Sequence, residues 1–208
     1  MLKRRRILLF TFLLLFLLKA DFCFSFSADV KPICNRKYFS QVRSLISEAE
    51  QSIYIILYIA RYYQKYPDSS SNRLIRELIS AAKRGVDVQV ILDRSNWNEK
   101  NTAENKATAR IFSEGGVRVW LDDFKKTSHN KLIIIDGRYV VIGSTNWSYY
   151  ALDKNNESSV LIDSPEVADV FKKYFAEVQA KSEKFDASES PPKPSLGKRI
   201  RRLFIEER

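Results

Sequence analysis

The spacing of apolar residues switches repeatedly between a helical and an extended period, and the switches divide the chain into elements. Phe39, Val42, Leu45, Ile46 and Ala49 share one helical face. The apolar run 53–60 predicts a buried strand, and the stretch 66–72 a loop. Leu74, Ile75, Leu78, Ile79 and Ala82 mark a second amphipathic helix, with Gly85 as its C-terminal stop. Val86, Val88 and Val90 alternate with Asp87 and Gln89, so 86–92 reads as a strand. A third helix is expected over 102–113, ended by Gly115-Gly116, and a strand over 117–121. The runs 132–135 and 139–142 are joined by Asp136-Gly137, a tight-turn dipeptide, and predict a hairpin. A strand over 158–162 follows. Ser164 then caps a last helix with Pro165 at its first position and Val167, Val170, Phe171, Tyr174 and Val178 on its buried face.

Strands alternate with helices early and a hairpin comes late. That order predicts an α/β fold, a mixed β-sheet flanked by helices. With 208 residues, 45% hydrophobic and 12% aromatic, the chain can build one sizeable core. We place the globular domain at 28–182. Residues 183–208 lose the apolar periodicity, contain Pro191, Pro192, Pro194 and a basic run from Lys198, and read as a flexible tail.

Residues 1–27 read as an export signal or membrane anchor. Lys3, Arg4, Arg5 and Arg6 form a basic start, and 7–18 is apolar except for Thr11, short for a membrane span. Ser25 and Ser27 offer a cleavage site before Ala28. Either way the basic flank stays inside, so the domain is exported, periplasmic or secreted, or else held at the membrane by its leader. The leader carries five basic side chains against one acid, a net of +4. That leaves +6 on the rest of a chain whose formal charge is +10. A positive body attracts nucleic acid or anionic lipid. Cleavage would leave Cys34 without Cys23; their spacing suggests no metal site, and we read Cys34 as incidental.

The candidate chemistry lies between His129 and Asn146. His129, the sole histidine, stands two residues before Lys131, so on a strand the two side chains project from one face. In a hairpin the far end of the return strand, Gly143-Ser144-Thr145-Asn146, lies beside this pair. A nucleophile, a fixed cation and neutral hydrogen-bonding groups in one volume suit a phosphoryl group. Asp122-Asp123 lacks histidine or cysteine companions, so we assign no metal site and no cofactor. Arg94 at a strand end, Lys125 before the motif and Trp147 after it are candidate substrate-binding residues, since basic side chains interleaved with aromatics suit single-stranded nucleic acid.

The spacing from His129 through Lys131 and Asp136 to Gly143, Ser144 and Asn146 resembles the HxK(x)4D(x)6GSxN signature of the phospholipase D superfamily, at every fixed position. The resemblance covers about 37–181 and points to the single-motif subgroup, which includes small bacterial endonucleases and the mitochondrial cardiolipin hydrolase. It implies that His129 attacks phosphorus to form a phosphohistidine. Lys131 and Asn146 would bind phosphate oxygens with Ser144 near them, and Glu157 would hydrogen-bond the catalytic histidine. Asp136, in the hairpin turn, would be structural. Phosphodiester cleavage also needs an acid for the leaving oxygen, and this chain has one histidine. The resemblance answers this with a homodimer whose two copies share one site. The substrate expected first is DNA or RNA, cut by a metal-independent endonuclease. Membrane phospholipid, phosphatidylcholine or cardiolipin cut to phosphatidic acid, is the alternative, and a non-catalytic nucleic-acid- or lipid-binding module the third reading.

Overall fold

The structure, a computed structural model, describes residues 25–187. The basic start, the apolar run 7–18, Cys23 and the basic run from Lys198 lie outside the described residues. Eight strands form one sheet in the order β1-β7-β6-β5-β2-β3-β4-β8. They are β1 (Asp29–Pro32), β2 (Ser52–Leu57), β3 (Asp87–Leu92), β4 (Arg118–Leu121), β5 (Lys131–Ile135), β6 (Tyr139–Gly143), β7 (Ser159–Asp163) and β8 (Glu183–Lys184). The helices are α1 (Arg36–Glu48), α2 (Ser70–Lys83), α3 (Glu99–Glu114), α4 (Tyr149–Asp153) and α5 (Pro165–Gln179). The β2–β3 and β3–β4 pairs are parallel and the other pairs antiparallel, so the sheet is mixed as expected. The parallel pairs need crossovers, which α2 and α3 supply.

Local chemistry explains where the elements begin and turn. Ser69, Asn98 and Ser164 accept backbone N–H bonds at the starts of α2, α3 and α5, with Pro165 opening α5. Gly85, at φ 94°, turns the chain out of α2. Asp136 and Gly137 both have positive φ, 51° and 60°, in the three-residue connection 136–138, where the Arg138 N–H closes a tight turn onto Ile135 O at 3.0 Å.

The pleat sorts side chains into two cores. On one face Ile53, Ile55, Leu57, Ile133 and Ile135 pack with Val42, Leu78, Phe112 and Leu152 of the first four helices. On the other, Ile56, Leu132, Ile134 and Val140 pack with Ala168 and Phe175 of α5. Among the described residues α5 alone covers that face, and its apolar stripe is narrower than expected: Val170 and Tyr174 are exposed.

Three elements escaped the sequence pattern. β1 is exposed throughout, lies at a sheet edge and holds a proline, so it has no alternation to read. The single turn of α4 is too short for a helical period. β8 pairs with β4, Phe185 N donates to Val119 O at 2.9 Å, and Phe185 packs on the core. Strand pairing thus continues past residue 182: pairing along β4, not side-chain periodicity, orders this stretch.

Candidate active site

β2 stops at Leu57, three residues before its apolar run ends. Beyond it, side chains of α3 take over the backbone. Tyr58 O accepts from Asn101 Nδ2 (3.1 Å) and Asn105 Nδ2 (2.9 Å), while Ala60 N and O bond Asn105 and Thr108 (3.1 and 2.8 Å). These bonds fix Tyr58, whose N–H also donates to Asn130 O at 2.9 Å. The Tyr58 ring lies 4.8 Å from the His129 ring at 55°, and Lys131 Nζ lies 5.1 Å from its centroid. No catalytic pattern in the sequence singles out Tyr58; it reads there as one more member of a buried run.

His129 precedes β5 and is exposed. Lys131, the first residue of β5, is only 5% exposed and donates from Nζ to the carbonyl of His129 at 2.9 Å. The two expected neighbours are thus tied together. Burial lowers the Lys131 pKa, and the negative charges of Glu157 and Asp93 oppose that shift.

The β5–β6 register pairs Leu132 with Ile142, which brings Ser144 to the opening of β5. Beyond β6 the pleat continues: Ser144 is exposed and Asn146 half-buried, while Thr145 and Trp147 are buried. Gly143 is required by close approach. A Cβ there would meet Ser159 Oγ, Ser159 Cα and the carbonyl oxygen of Ser158. Ser144 Oγ donates to Glu157, whose other carboxylate oxygen accepts from Asn155 Nδ2 at 3.1 Å. The Glu157 carboxylate therefore engages Ser144 and Asn155 in this chain, not His129 as expected. The reason is the β6–β7 pairing, which sets Ser144 against Ser158 (N to O, 2.9 Å). Asn146 Oδ1 is buried with no hydrogen-bond partner among the described residues, a cost of about 1–3 kcal/mol that a bound donor would offset.

Of the remaining candidates, Asp136 sits at the opposite end of the hairpin. Its carboxylate accepts from the N–H groups of Glu50, Gln51 and Ser52 at 3.0, 2.8 and 2.9 Å. Trp147 is corrected: it is fully buried and its Nε1 donates to Tyr38 OH at 3.1 Å, because it shares the inward side of the pleat with Thr145. It cannot stack on a substrate. Arg94 bonds Glu183 and the carbonyl of Asp122 through its guanidinium. It ties β3 to the β4–β8 edge. Lys125 is exposed beside Phe124, which is also exposed. Cys34 is an exposed free thiol. Among the described residues no group of three or more His, Cys, Asp or Glu is placed to hold a metal ion.

A family model described as "Cardiolipin synthase, PLD-like domain" matches residues 42–179. The chain belongs to the PLD-like domain family. The matched segment runs from α1 through α5 and contains every residue of the His129–Glu157 cluster. Among PLD-like relatives, a phospholipase D of Rickettsia bellii is 32% identical over 126 residues, covering 61% of this chain and 56% of its own. A mitochondrial cardiolipin hydrolase of Chlamydomonas reinhardtii is 30% identical over 92 residues, 44% of this chain and 39% of its own. The chain thus spans about half the length of these curated relatives. The solved structure of Nuc, a phospholipase D family member from Salmonella typhimurium, superimposes with a TM-score of 0.65 at 24% identity over 76% of this chain and 99% of its own. That likeness concerns the PLD-like fold.

Proposed function

We propose that this chain is a phosphodiester hydrolase acting through a phosphohistidine, and that its substrate is DNA or RNA. The observation that carries the reading is one exposed imidazole, the chain's only one, beside a buried ammonium tied to its own carbonyl. A nitrogen of His129 attacks phosphorus as the phosphorus–oxygen bond to the leaving group breaks. Lys131 and the Asn146 amide balance the charge on the remaining oxygens. The leaving oxygen takes a proton from His129 of a second copy. That imidazole then removes a proton from water, whose oxygen displaces the first histidine and restores it. The scheme needs a homodimer with a shared site and no metal ion.

Nucleic acid is favoured by the loop leading to His129. It presents Lys125 and Lys126 with exposed Phe124, and exposed Trp97 donates from Nε1 to Thr127 Oγ1 at 2.7 Å. Flat rings among cations suit stacking on unpaired bases. The names of the sequence relatives, phospholipase D and cardiolipin hydrolase, support the second reading, a phospholipid substrate. The basic start followed by an apolar run supports export, with the leader either removed or holding the domain at a membrane.

The test is to assay the purified full-length chain with a chelator on single-stranded DNA, duplex DNA, RNA, phosphatidylcholine and cardiolipin. Cleavage of nucleic acid is expected. Turnover of lipid alone transfers the conclusion to the second reading, and inactivity restored by a divalent metal removes the metal-free scheme. His129→Ala should abolish turnover with the fold intact, and an active monomer in sedimentation would refute the shared site.

A further inference from the structure

One buried acid near this site has no part in the chemistry above. Asp93 follows β3 and is fully buried. A buried carboxylate is costly unless its bonds are made. Here Oδ1 accepts the N–H of Ser128 at 2.8 Å, and the other oxygen accepts from Ser95 Oγ at 3.3 Å. Ser128, itself buried, immediately precedes His129. The backbone of Asp93 is fixed as well: its N–H donates to Leu57 O (3.0 Å) and its carbonyl accepts from Asn105 Nδ2 (2.8 Å), the amide that also holds Tyr58 O. The carboxylate is thus a rigid post between the end of β2–β3 and the residue that carries the histidine.

We propose that Asp93 is a positioning residue for the reaction, which holds His129 in place through Ser128. The inference rests on the phosphohistidine reading above. Two observations support it. The loop 122–130 is long and exposed over 124–127, yet becomes buried at Ser128, where the bond to Asp93 is made. The His129 carbonyl in turn receives Lys131 Nζ, so moving Ser128 moves both groups. Around Asp93 itself stand Asp122 from the end of β4, neutral Asn101 from α3, and Ser95 and Ser128, and burial with the Asp122 charge raises its pKa.

Two variants of the full-length chain separate bond from charge. Asp93→Ala removes both; Asp93→Asn keeps an oxygen for Ser128 N–H and removes the charge. The substrate is bis(p-nitrophenyl) phosphate, so that no assumption about nucleic acid or lipid enters. Because the chain has a single histidine, one imidazole signal in the NMR spectrum reports on His129 alone. For Asp93→Ala, kcat should fall about 10–100-fold with KM little changed, the size expected of a misplaced reacting group, and the imidazole signal should move. Asp93→Asn should restore most of kcat and the signal position. A folded Asp93→Ala protein with wild-type kcat and an unmoved signal overturns the proposal. Should that variant not fold, Asp93→Ser, whose shorter side chain does not reach the Ser128 N–H, takes its place and is read by the same two outcomes. Retained turnover in His129→Ala would sink the underlying reading and not this one alone, so the two failures are distinguishable.

Discussion

Asp136 separates a structural from a chemical reading of the sequence motif. Its carboxylate accepts three N–H groups from the turn between α1 and β2, and its own N–H donates to Ser52 O at 2.9 Å. It therefore staples the start of β2 to the hairpin turn, at the end of the sheet away from His129. Asp136→Ala removes all three acceptor bonds. Hydrogen bonds to a charged group contribute about 1.5–3 kcal/mol each when shielded from water. Glu50 and Gln51 are exposed, so water replaces most of what their N–H groups lose, while half-buried Ser52 sits nearer the full value. Alanine must also adopt φ near 51°, at a cost of about 1–2 kcal/mol. The sum is a loss of about 3–5 kcal/mol, a large share of a typical domain's stability. Asp136→Asn tolerates the same φ and keeps the oxygen that serves Gln51 and Ser52. It should lose about 1–2 kcal/mol. Urea unfolding followed by tryptophan fluorescence measures both, with kcat determined on the fraction that remains folded. A loss below about 1 kcal/mol in Asp136→Ala would refute the staple. So would a collapse of kcat in a stable Asp136→Asn protein, which would return the residue to the chemistry.

Two further outcomes follow from the site's geometry. Gly143→Ala should destabilise by about 1–3 kcal/mol or more, because two of the three atoms its Cβ meets are backbone atoms of Ser158 and Ser159, at the start of β7, and relief means parting the strands; a wild-type melting temperature would contradict this. The alkaline limb of the pH–rate profile should lie below that of an ordinary lysine: in the proposed mechanism Lys131 works as a cation, burial lowers its pKa, and activity present at lower pH is lost as pH rises through that value. A limb at or above 10.5, the ordinary lysine value, would count against Lys131 as the charged group.

The sheet was legible wherever one element presents one period. The alternation in β3 and the capped start of α5 led directly to strands and a helix in the structure. The motif likewise indicated which end of the hairpin gathers His129, Lys131, Ser144 and Asn146. What escaped has a common cause: it depends on partners distant in the chain. β8 is ordered by pairing with β4, more than sixty residues earlier. The end of β2 is set by Asn101, Asn105 and Thr108, which in sequence are three polar residues of a helix. Trp147 was misread because an aromatic beside a motif looks the same whether it faces solvent or the core; only the pleat beyond Gly143 decides. The partners of Arg94, the Asp122 carbonyl and Glu183, were equally hidden, since they lie 28 and 89 residues away in the chain.

The motif spacing is itself a measurement of the hairpin. β5 and β6 are each five residues long and meet through a tight turn at Asp136-Gly137, so one step beyond the Leu132–Ile142 pair sets Gly143 opposite Lys131. The four residues between Lys131 and Asp136, and the six between Asp136 and Gly143, are the lengths that return the chain to its starting point. Gly143 then lets β7 approach closely, and the pleat turns Ser144 and Asn146 away from the core while Thr145 and Trp147 enter it. A slip of one residue would reverse that choice, burying two polar groups and exposing an indole. The buried Trp147, bonded to Tyr38, and the Asp136 staple therefore hold the register from opposite ends.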